Sequence, residues 1–262
     1  MIPRNYILEW TESVPWGNLQ QVEQDLLLTT TLIKLYAHPV LKETLAFRGG
    51  TALNKLIFKP ASRYSEDIDL VQIKTGPIGP TLTIIREIMD PLLGKPTYDG
   101  TKFGATLTYK TTSEEGFVLK LKLEINTREH FSILGFQDYE FTSNSSWHSA
   151  TATIRSYRIE ELLGTKLRAL YQRRKGRDLY DLYTALITID DLNKDEIVRC
   201  FFEYMRREGH AISQELFLSN MEAKLKNKEF REDIVPLLPR HIATFNPDEA
   251  YEHVRGHLLD RL

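Results

Sequence analysis

The chain has 262 residues, of which 42% are hydrophobic and 27% are charged. This composition predicts a folded chain with a sizeable core, arranged as one large or two small domains. A formal net charge of −2 excludes a general electrostatic attraction to nucleic acid, so an anionic partner would need a local basic patch. One cysteine excludes an internal disulfide, and no apolar stretch near the N-terminus approaches the about 20 residues that span a bilayer. Because the N-terminus also lacks the pattern of a secretion signal, we expect a cytoplasmic protein with no membrane partner.

The first 157 residues mix helical and strand periodicities. The positions of apolar residues predict helices over 20–36, 51–57 and 81–89. Alternating patterns predict strands over 44–47, 67–73, 103–111, 117–126 and 150–157. The segment that joins the third and fourth of these strands is typical of a hairpin turn.

From residue 160 onward the periodicity is helical throughout. Helices are predicted over 160–173, 178–187, 195–207, 214–226 and 248–259. A mixed half followed by a helical half predicts an α+β fold. We therefore expect two domains, 1–157 and 158–262.

Asp67 and Asp69 are separated by one residue on a predicted strand. Alternate side chains of a strand share a face, so both carboxylates should point the same way while Ile68 and Leu70 enter the core. Two anions this close repel each other, and a divalent cation, Mg²⁺ for oxygen ligands, would relieve the repulsion. The alternative is a solvated strand end beside Arg63.

Gly49, Gly50 and Thr51 precede this strand at the start of a predicted helix. Glycines permit a tight turn and a close approach of the backbone, and the N–H groups that begin a helix attract phosphate. The lysine spacing of a Walker loop is missing, so the sequence does not predict a P-loop. The alternative is an ordinary turn that starts a helix.

Glu124 supplies a third carboxylate on another predicted strand. It shares one face of the segment VLKLKLEIN with lysines, while leucine and isoleucine occupy the other face. Glu124 could therefore join the aspartates at a metal site, or simply be solvated on an edge strand. A phosphate-binding turn, two aspartates and a third acid are the minimum set for two-metal nucleotidyl transfer from a nucleoside triphosphate.

Lys166 lies at the centre of an apolar helix face, with only apolar neighbours three and four residues away. Such a lysine either extends to solvent along its stem or meets an anion in a cleft, where it could bind phosphate. Asp178 and Asp181 share one side of the next predicted helix, and either could act as a base or orient Lys166. Alternatively, Asp178 is a first-turn or capping acid and Asp181 pairs with Arg177 at the surface.

Six basic residues and no acid occupy positions 166–177. This run predicts contacts with nucleic-acid phosphates, although basic helix faces are common in proteins that bind no nucleic acid. Besides Lys166, its members are Arg168, Arg173, Arg174, Lys175 and Arg177.

Four ordered motifs resemble those of the AbiEii/AbiGii-type, MenT-like nucleotidyltransferase toxins of type IV toxin–antitoxin and abortive-infection systems. They are GGTALNKL, RYSEDIDL, KLEIN and KLRAL followed by GRDLYDL, over roughly residues 45 to 185. The resemblance implies a DNA polymerase β-like core followed by a helical domain that completes the active site. It also implies Mg²⁺, a nucleoside triphosphate, an RNA acceptor, in MenT-like members the 3′ end of tRNA, and an antitoxin partner.

Carried over by position, the resemblance assigns roles to single residues. Nucleotide binding is implied for Gly49, Gly50, Thr51, Arg63 and Ser65. Metal binding is implied for Asp67 and Asp69, with Glu124 where the wider superfamily has aspartate. Catalytic roles are implied for Asp67, Asp69, Lys166 and Asp178, with Asp181 as the alternative to Asp178. Two other functions remain open, namely modification of a protein or small molecule and a non-catalytic binding module.

Overall fold

The computed structural model describes residues 2–242 and 244–262, which form two compact units. Unit 1 extends to Ser132 and resumes over Phe136–Tyr157. Unit 2 contains Ile133–Gly135 and Arg158–Leu262.

The part of unit 1 that the structure describes contains a seven-stranded mixed sheet. Its strands are β1 Leu45–Arg48, β2 Asp67–Gln72, β3 Thr97–Thr101, β4 Gly104–Thr112, β5 Val118–Asn126, β6 Phe136–Ser145 and β7 His148–Tyr157. They lie in the order β3-β4-β5-β2-β1-β7-β6. At the centre, β2 runs parallel to β5 and antiparallel to β1. The alternation seen in the sequence matches the burial, because Leu119, Leu121, Leu123 and Ile125 of β5 are all buried.

Helices accompany this sheet along the chain. They are α1 Arg4–Trp10, α2 Leu19–Ala37, α3 Pro39–Thr44, α4 Gly49–Ala52 and α5 Gly79–Leu93, and α4 continues as a π-helical turn over Leu53–Ile57. Asn18 begins α2 by accepting a hydrogen bond from the backbone N–H of Gln21 at 2.8 Å. Asp25 of α2 is buried, and its carboxylate accepts hydrogen bonds from the indoles of Trp10 and Trp16 and from Lys55. These partners offset the cost of burying its charge.

Unit 2 is helical. Its helices are α6 Ile159–Gln172, α7 Gly176–Thr188, α8 Lys194–Arg207, α9 Gln214–Leu225, α10 Lys228–Glu232 and α11 Pro247–His257, with short 3₁₀ turns at Val235–Leu237 and Leu259–Arg261. Polar side chains that accept backbone N–H groups begin four of them, namely Asn193, Ser213, Asn227 and Asn246. Gly164 lets α6 approach α8 closely, because a β-carbon there would lie 2.5 Å from Cβ of Cys200.

The α+β class and the predicted elements are confirmed, with boundaries that shift by a few residues. Two strands, β3 and β6, were missed because they are the edges of the sheet. Every residue of β3 and most of β6 is exposed or half-exposed, so neither has an apolar alternation. The helix predicted to start at Thr51 begins two residues earlier, at Gly49, so Thr51 lies inside α4. Among the helices that the structure describes, none is long and apolar enough to cross a membrane.

Candidate active site

Gly49 is the turn by which β1 passes directly into α4. Its φ of +79° is in the left-handed region that favours glycine. A β-carbon at Gly49 would overlap the carboxylate of Asp69, which lies directly against the turn. The first predicted glycine is therefore required both by the backbone conformation and by the proximity of an acid. Gly50 is buried, and its carbonyl accepts a hydrogen bond from Asn54 at 2.9 Å.

Thr51 connects this turn to the start of β2. Its hydroxyl lies 2.5 Å from the hydroxyl of Ser65 and donates to the backbone carbonyl of Asp67 at 2.6 Å. The structure thus brings together two of the predicted nucleotide-binding residues, and both brace the strand that carries the aspartates. Thr51 is buried and Ser65 is partly exposed, so Ser65 is the more accessible of the two.

Arg63 lies in the loop before β2 and is only 3% exposed. Its guanidinium donates to the carbonyl of Tyr64 at 3.0 Å, and its backbone N–H donates to Asn54 at 3.0 Å. These contacts shape the loop. The sequence-based role of Arg63 in binding a nucleotide stays a prediction.

The three predicted acids lie on two neighbouring strands. Asp67 and Asp69 occupy one face of β2, and the parallel register sets Glu124 of β5 beside Asp69 and Lys122 beside Asp67. The ammonium of Lys122 forms an ion pair with Glu124. Its hydrogen bond to Glu124 raises the pKa of Lys122 against the opposing effect of burial, with a further contribution from the two aspartates. One lysine therefore shares the surface with three carboxylates.

The donor set is consistent with Mg²⁺ held by two protein carboxylates. Asp67 and Asp69 offer oxygen ligands on one face, and Mg²⁺ usually keeps several water or phosphate oxygens besides one or two carboxylates. Across residues 2–242 and 244–262, no three His, Cys, Asp or Glu side chains are grouped so as to hold a metal ion. The side chain of Glu124 is held by Lys122, so its role as a metal ligand stays a prediction.

A cavity of about 290 Å³ opens beside the acids within unit 1. Its lining consists of Arg48, Asp69, Leu70, Thr101, Phe103, Gly104, Ala105, Thr106, Glu124, Ile125 and Asn126. The guanidinium of Arg48 forms an ion pair with Glu129. Burial disfavours the charged guanidinium, but the attraction of Glu129 outweighs it and raises the pKa of Arg48.

Unit 2 contains a second group of charges, in which one lysine and two aspartates are buried. The ammonium of Lys166 lies 3.0 Å from a carboxylate oxygen of Asp178 and 3.0 Å from one of Asp181. Arg173 donates two hydrogen bonds to Asp178, at 2.6 and 2.8 Å. Lys166 is 4% exposed and both aspartates are fully buried. The two buried anions are thus balanced by two cations, the buried Lys166 and Arg173, whose side chain is half exposed.

The predicted lysine on an apolar helix face therefore meets anions of its own chain. Burial alone would raise the pKa of Asp178, but Lys166 and Arg173 lower it to about 2. Asp178 lies in the first turn of α7 without capping it, and Asp181 does not pair with Arg177 at the surface. Because both acids contact Lys166, the structure does not choose between them.

Most of the predicted nucleic-acid-binding residues have partners within unit 2. Arg168 binds Glu208 at 3.0 Å and lies over the ring of Tyr204. Arg173 is held by Asp178, and Lys175 and Arg177 both pair with Asp233. Arg174 is exposed and has no ion pair among the residues that the structure describes. It is the member of the run that is most available to a phosphate.

Three residues near the acids were missed by the sequence analysis. Arg48 and Phe103 line the cavity, and Glu129 holds Arg48. Arg48 directly precedes the two glycines, which is a signal that could have identified it. Phe103 and Glu129 follow no motif, because strand pairing places them. The pairing of β4 with β5 brings Phe103 to the acids, and the pairing of β5 with β2 and of β2 with β1 brings Glu129 to Arg48.

Comparisons with known proteins concern the family and the fold of this chain. The model of the family described as "Nucleotidyl transferase AbiEii toxin, Type IV TA system" matches residues 33–254. No curated protein sequence matches the chain. The MenT4 nucleotidyltransferase toxin of Mycobacterium tuberculosis H37Rv has a similar fold, with a TM-score of 0.68 and 16% identity over 100% of this chain and 91% of that one. JHP933 from Helicobacter pylori has a TM-score of 0.57 and 18% identity over 91% and 90% of the two chains.

Proposed function

This chain belongs to the AbiEii family of nucleotidyltransferase toxins of type IV toxin–antitoxin systems, and on that basis we propose that its acceptor is RNA, the 3′ end of a tRNA. The reaction transfers a nucleoside monophosphate from a nucleoside triphosphate. The acceptor hydroxyl loses its proton and its oxygen forms a bond to the α-phosphorus, while the bond from that phosphorus to the pyrophosphate leaving group breaks. A protein antitoxin is the proposed partner that neutralises the enzyme in the cytoplasm.

The observation that carries the proposal is the contact between Gly49 and the Asp69 carboxylate, with Glu124 on the neighbouring strand. A backbone turn without side chains lets phosphates approach an acid pair closely. Asp67 and Asp69 would hold Mg²⁺, which when bound neutralises the charge of the phosphates and favours the attacking hydroxyl. Hydrogen bonds of Thr51 to Ser65 and to the carbonyl of Asp67 hold the turn against the start of β2.

We assign unit 2 two tasks in the same reaction. Lys166, oriented by Asp178 or Asp181, provides a cation for the triphosphate, as the family resemblance implies. The exposed Arg174 contributes a charge that attracts RNA.

The direct test is incubation of the purified protein with total tRNA, Mg²⁺ and each α-³²P-labelled nucleoside triphosphate in turn. We expect label on tRNA with the wild type, and none with Asp69→Asn or after removal of Mg²⁺ by EDTA. Asp191→Asn is the matched control, because Asp191 is exposed in a turn of unit 2 and should leave labelling intact. Label on protein, or on a small molecule only, would reject tRNA as the acceptor.

A further inference from the structure

The aromatic ring of Phe103 is exposed at the turn between β3 and β4, and two cations lie against it. Half of the residue is open to solvent. The Lys102 ammonium is 5.3 Å and the Arg128 guanidinium carbon 5.1 Å from the ring centre. Neither cation forms an ion pair within the described part of the chain. A single exposed phenylalanine is ordinary, but one flanked by available cations beside an acidic cavity is typical of a surface that binds a base and its phosphate.

The chain fixes this aromatic surface on the sheet. The carbonyl of Phe103 accepts a hydrogen bond from the N–H of Thr127 at 3.1 Å, which ties the turn to the end of β5. The side chain of Asn126 accepts the N–H groups of Arg128 at 2.9 Å and Glu129 at 2.8 Å. Asn126 thus forms the turn that carries Arg128 over the ring. A platform held by backbone hydrogen bonds loses little entropy when a ligand binds.

The order of the strands separates two sides of the acid pair. Gly49 lies at the end of β1 on one side of β2, whereas Phe103 and Glu124 lie on the other side, with β4 and β5. In phosphoryl transfer the attacking and leaving oxygens are roughly in line on opposite sides of phosphorus. If the phosphates of the triphosphate lie at the Gly49 turn, the attacking hydroxyl should approach from the opposite side of the acid pair, where Phe103 lies. The cavity of about 290 Å³ is at the small end of ligand sites, which suits one nucleoside.

We propose that the terminal nucleoside of the RNA acceptor stacks on Phe103, with its phosphate held by Lys102 and Arg128. This inference rests on the proposed RNA acceptor and adds its binding subsite. Stacking on an aromatic ring accepts any base, so Phe103 contributes affinity for the acceptor end without selecting its sequence.

The first test measures KM for the acceptor RNA and for the nucleoside triphosphate separately. We expect Phe103→Ala to raise KM for the RNA about tenfold and to leave KM for the triphosphate unchanged. Phe103→Tyr retains a stacking ring and should remain near wild type. Phe117→Ala is the matched control, since Phe117 is 54% exposed in unit 1 and does not line the cavity. Equal effects of the two alanine variants, or a rise only in KM for the triphosphate, would overturn the proposal.

The second test needs no catalysis. In Phe103→Trp, addition of a single-stranded RNA that ends in a 3′ hydroxyl should quench the new indole fluorescence, whereas Phe117→Trp should respond little. If RNA binds the wild type, as measured by fluorescence anisotropy, but does not quench the tryptophan of Phe103→Trp, then stacking at position 103 is refuted while RNA remains the acceptor. If the wild type neither binds nor labels RNA, the proposed acceptor is wrong and the platform fails with it.

Discussion

At the scale of single residues, the site depends on how closely backbone and carboxylate can approach. Gly49 and Asp69 come from segments twenty residues apart, and the missing side chain of one makes room for the other. Glu124 is paired with Lys122, so the acid cluster already contains one compensating cation. Lys122 thereby reduces the repulsion between the carboxylates.

Gly49→Ala should lower the rate of transfer about 100-fold while the chain still folds. The substitution adds the strain of a positive φ, about 1–2 kcal/mol, and a clash that displaces Asp69. A displacement of about 1 Å can lower a rate about 100-fold, which the tRNA-labelling assay would detect.

Gly116→Ala separates these two effects. Gly116 also has a positive φ, of 86°, but nothing lies within 4 Å of the position of an added β-carbon. Gly116→Ala should therefore lower the free energy of unfolding in urea by an amount similar to that of Gly49→Ala, but it should retain activity. Equal activity of the two variants would mean that the contact between Gly49 and Asp69 is not needed for transfer.

At the scale of elements, α6 and α7 are joined by a network of charges. Lys166 projects from α6 to two aspartates of α7, and Arg173 follows α6 at its end. The apolar neighbours of Lys166 left open whether it reaches solvent or meets an anion, and the packing of α7 supplies the anions. A buried ion network of this kind contributes little net stability, yet removal of one member is costly.

Lys166→Met should destabilise the protein by about 3–5 kcal/mol, because two buried carboxylates would then share one remaining cation. The double variant Lys166→Met, Asp181→Asn keeps Asp178 paired with Arg173 and should recover part of that loss in urea unfolding. If Lys166 acts on the triphosphate, the double variant recovers stability without activity. Recovery of both would assign Lys166 to the fold alone.

The same network of charges predicts how the free energy of unfolding depends on pH. The folded pKa of Asp178, about 2, is lower than its ordinary value of 3.8. The ionised carboxylate therefore contributes stability above about pH 4, and this contribution, about 2 kcal/mol, is lost as the pH falls toward 2. In urea unfolding between pH 5 and 2, Asp178→Asn should be less stable than wild type at pH 5 and show a shallower decline. A parallel decline of the two proteins would contradict this assignment, and Asp191→Asn should follow the wild type.

At the scale of the whole molecule, a net charge of −2 leaves RNA binding to local cations. The fold of MenT4 covers all of this chain, so both units belong to a known architecture. Within unit 2 the basic run of the sequence is largely neutralised by Glu208, Asp178 and Asp233. The electrostatic contribution to RNA binding should therefore be much smaller than six basic residues would suggest.

Salt titration of RNA binding can compare two members of the basic run, the exposed Arg174 and the ion-paired Arg168. Arg174→Ala should reduce the slope of log K against log salt concentration by about 0.7 to 1, because an available cation releases counterions on binding. Arg168→Ala should leave the slope unchanged, since its guanidinium is held by Glu208 and Tyr204. Equal slopes for both variants and the wild type would remove Arg174 from the interface.

The sequence by itself determined the features that depend on local order. The period of apolar residues determined the central strands and the long helices, and the four ordered motifs identified the family. The alternation of β2 and β5 also determined which acids share a face, because successive strand side chains always point to opposite sides.

The tertiary structure alone decided the contacts between distant segments. The edge strands β3 and β6 have no apolar face, so only pairing with their neighbours defines them. The pairing of β4 with β5 brings Phe103 to the acids, and the packing of α7 on α6 gives Lys166 two carboxylates. Such contacts depend on free energies of packing and pairing summed over segments far apart in the chain, which no local pattern of residue types encodes.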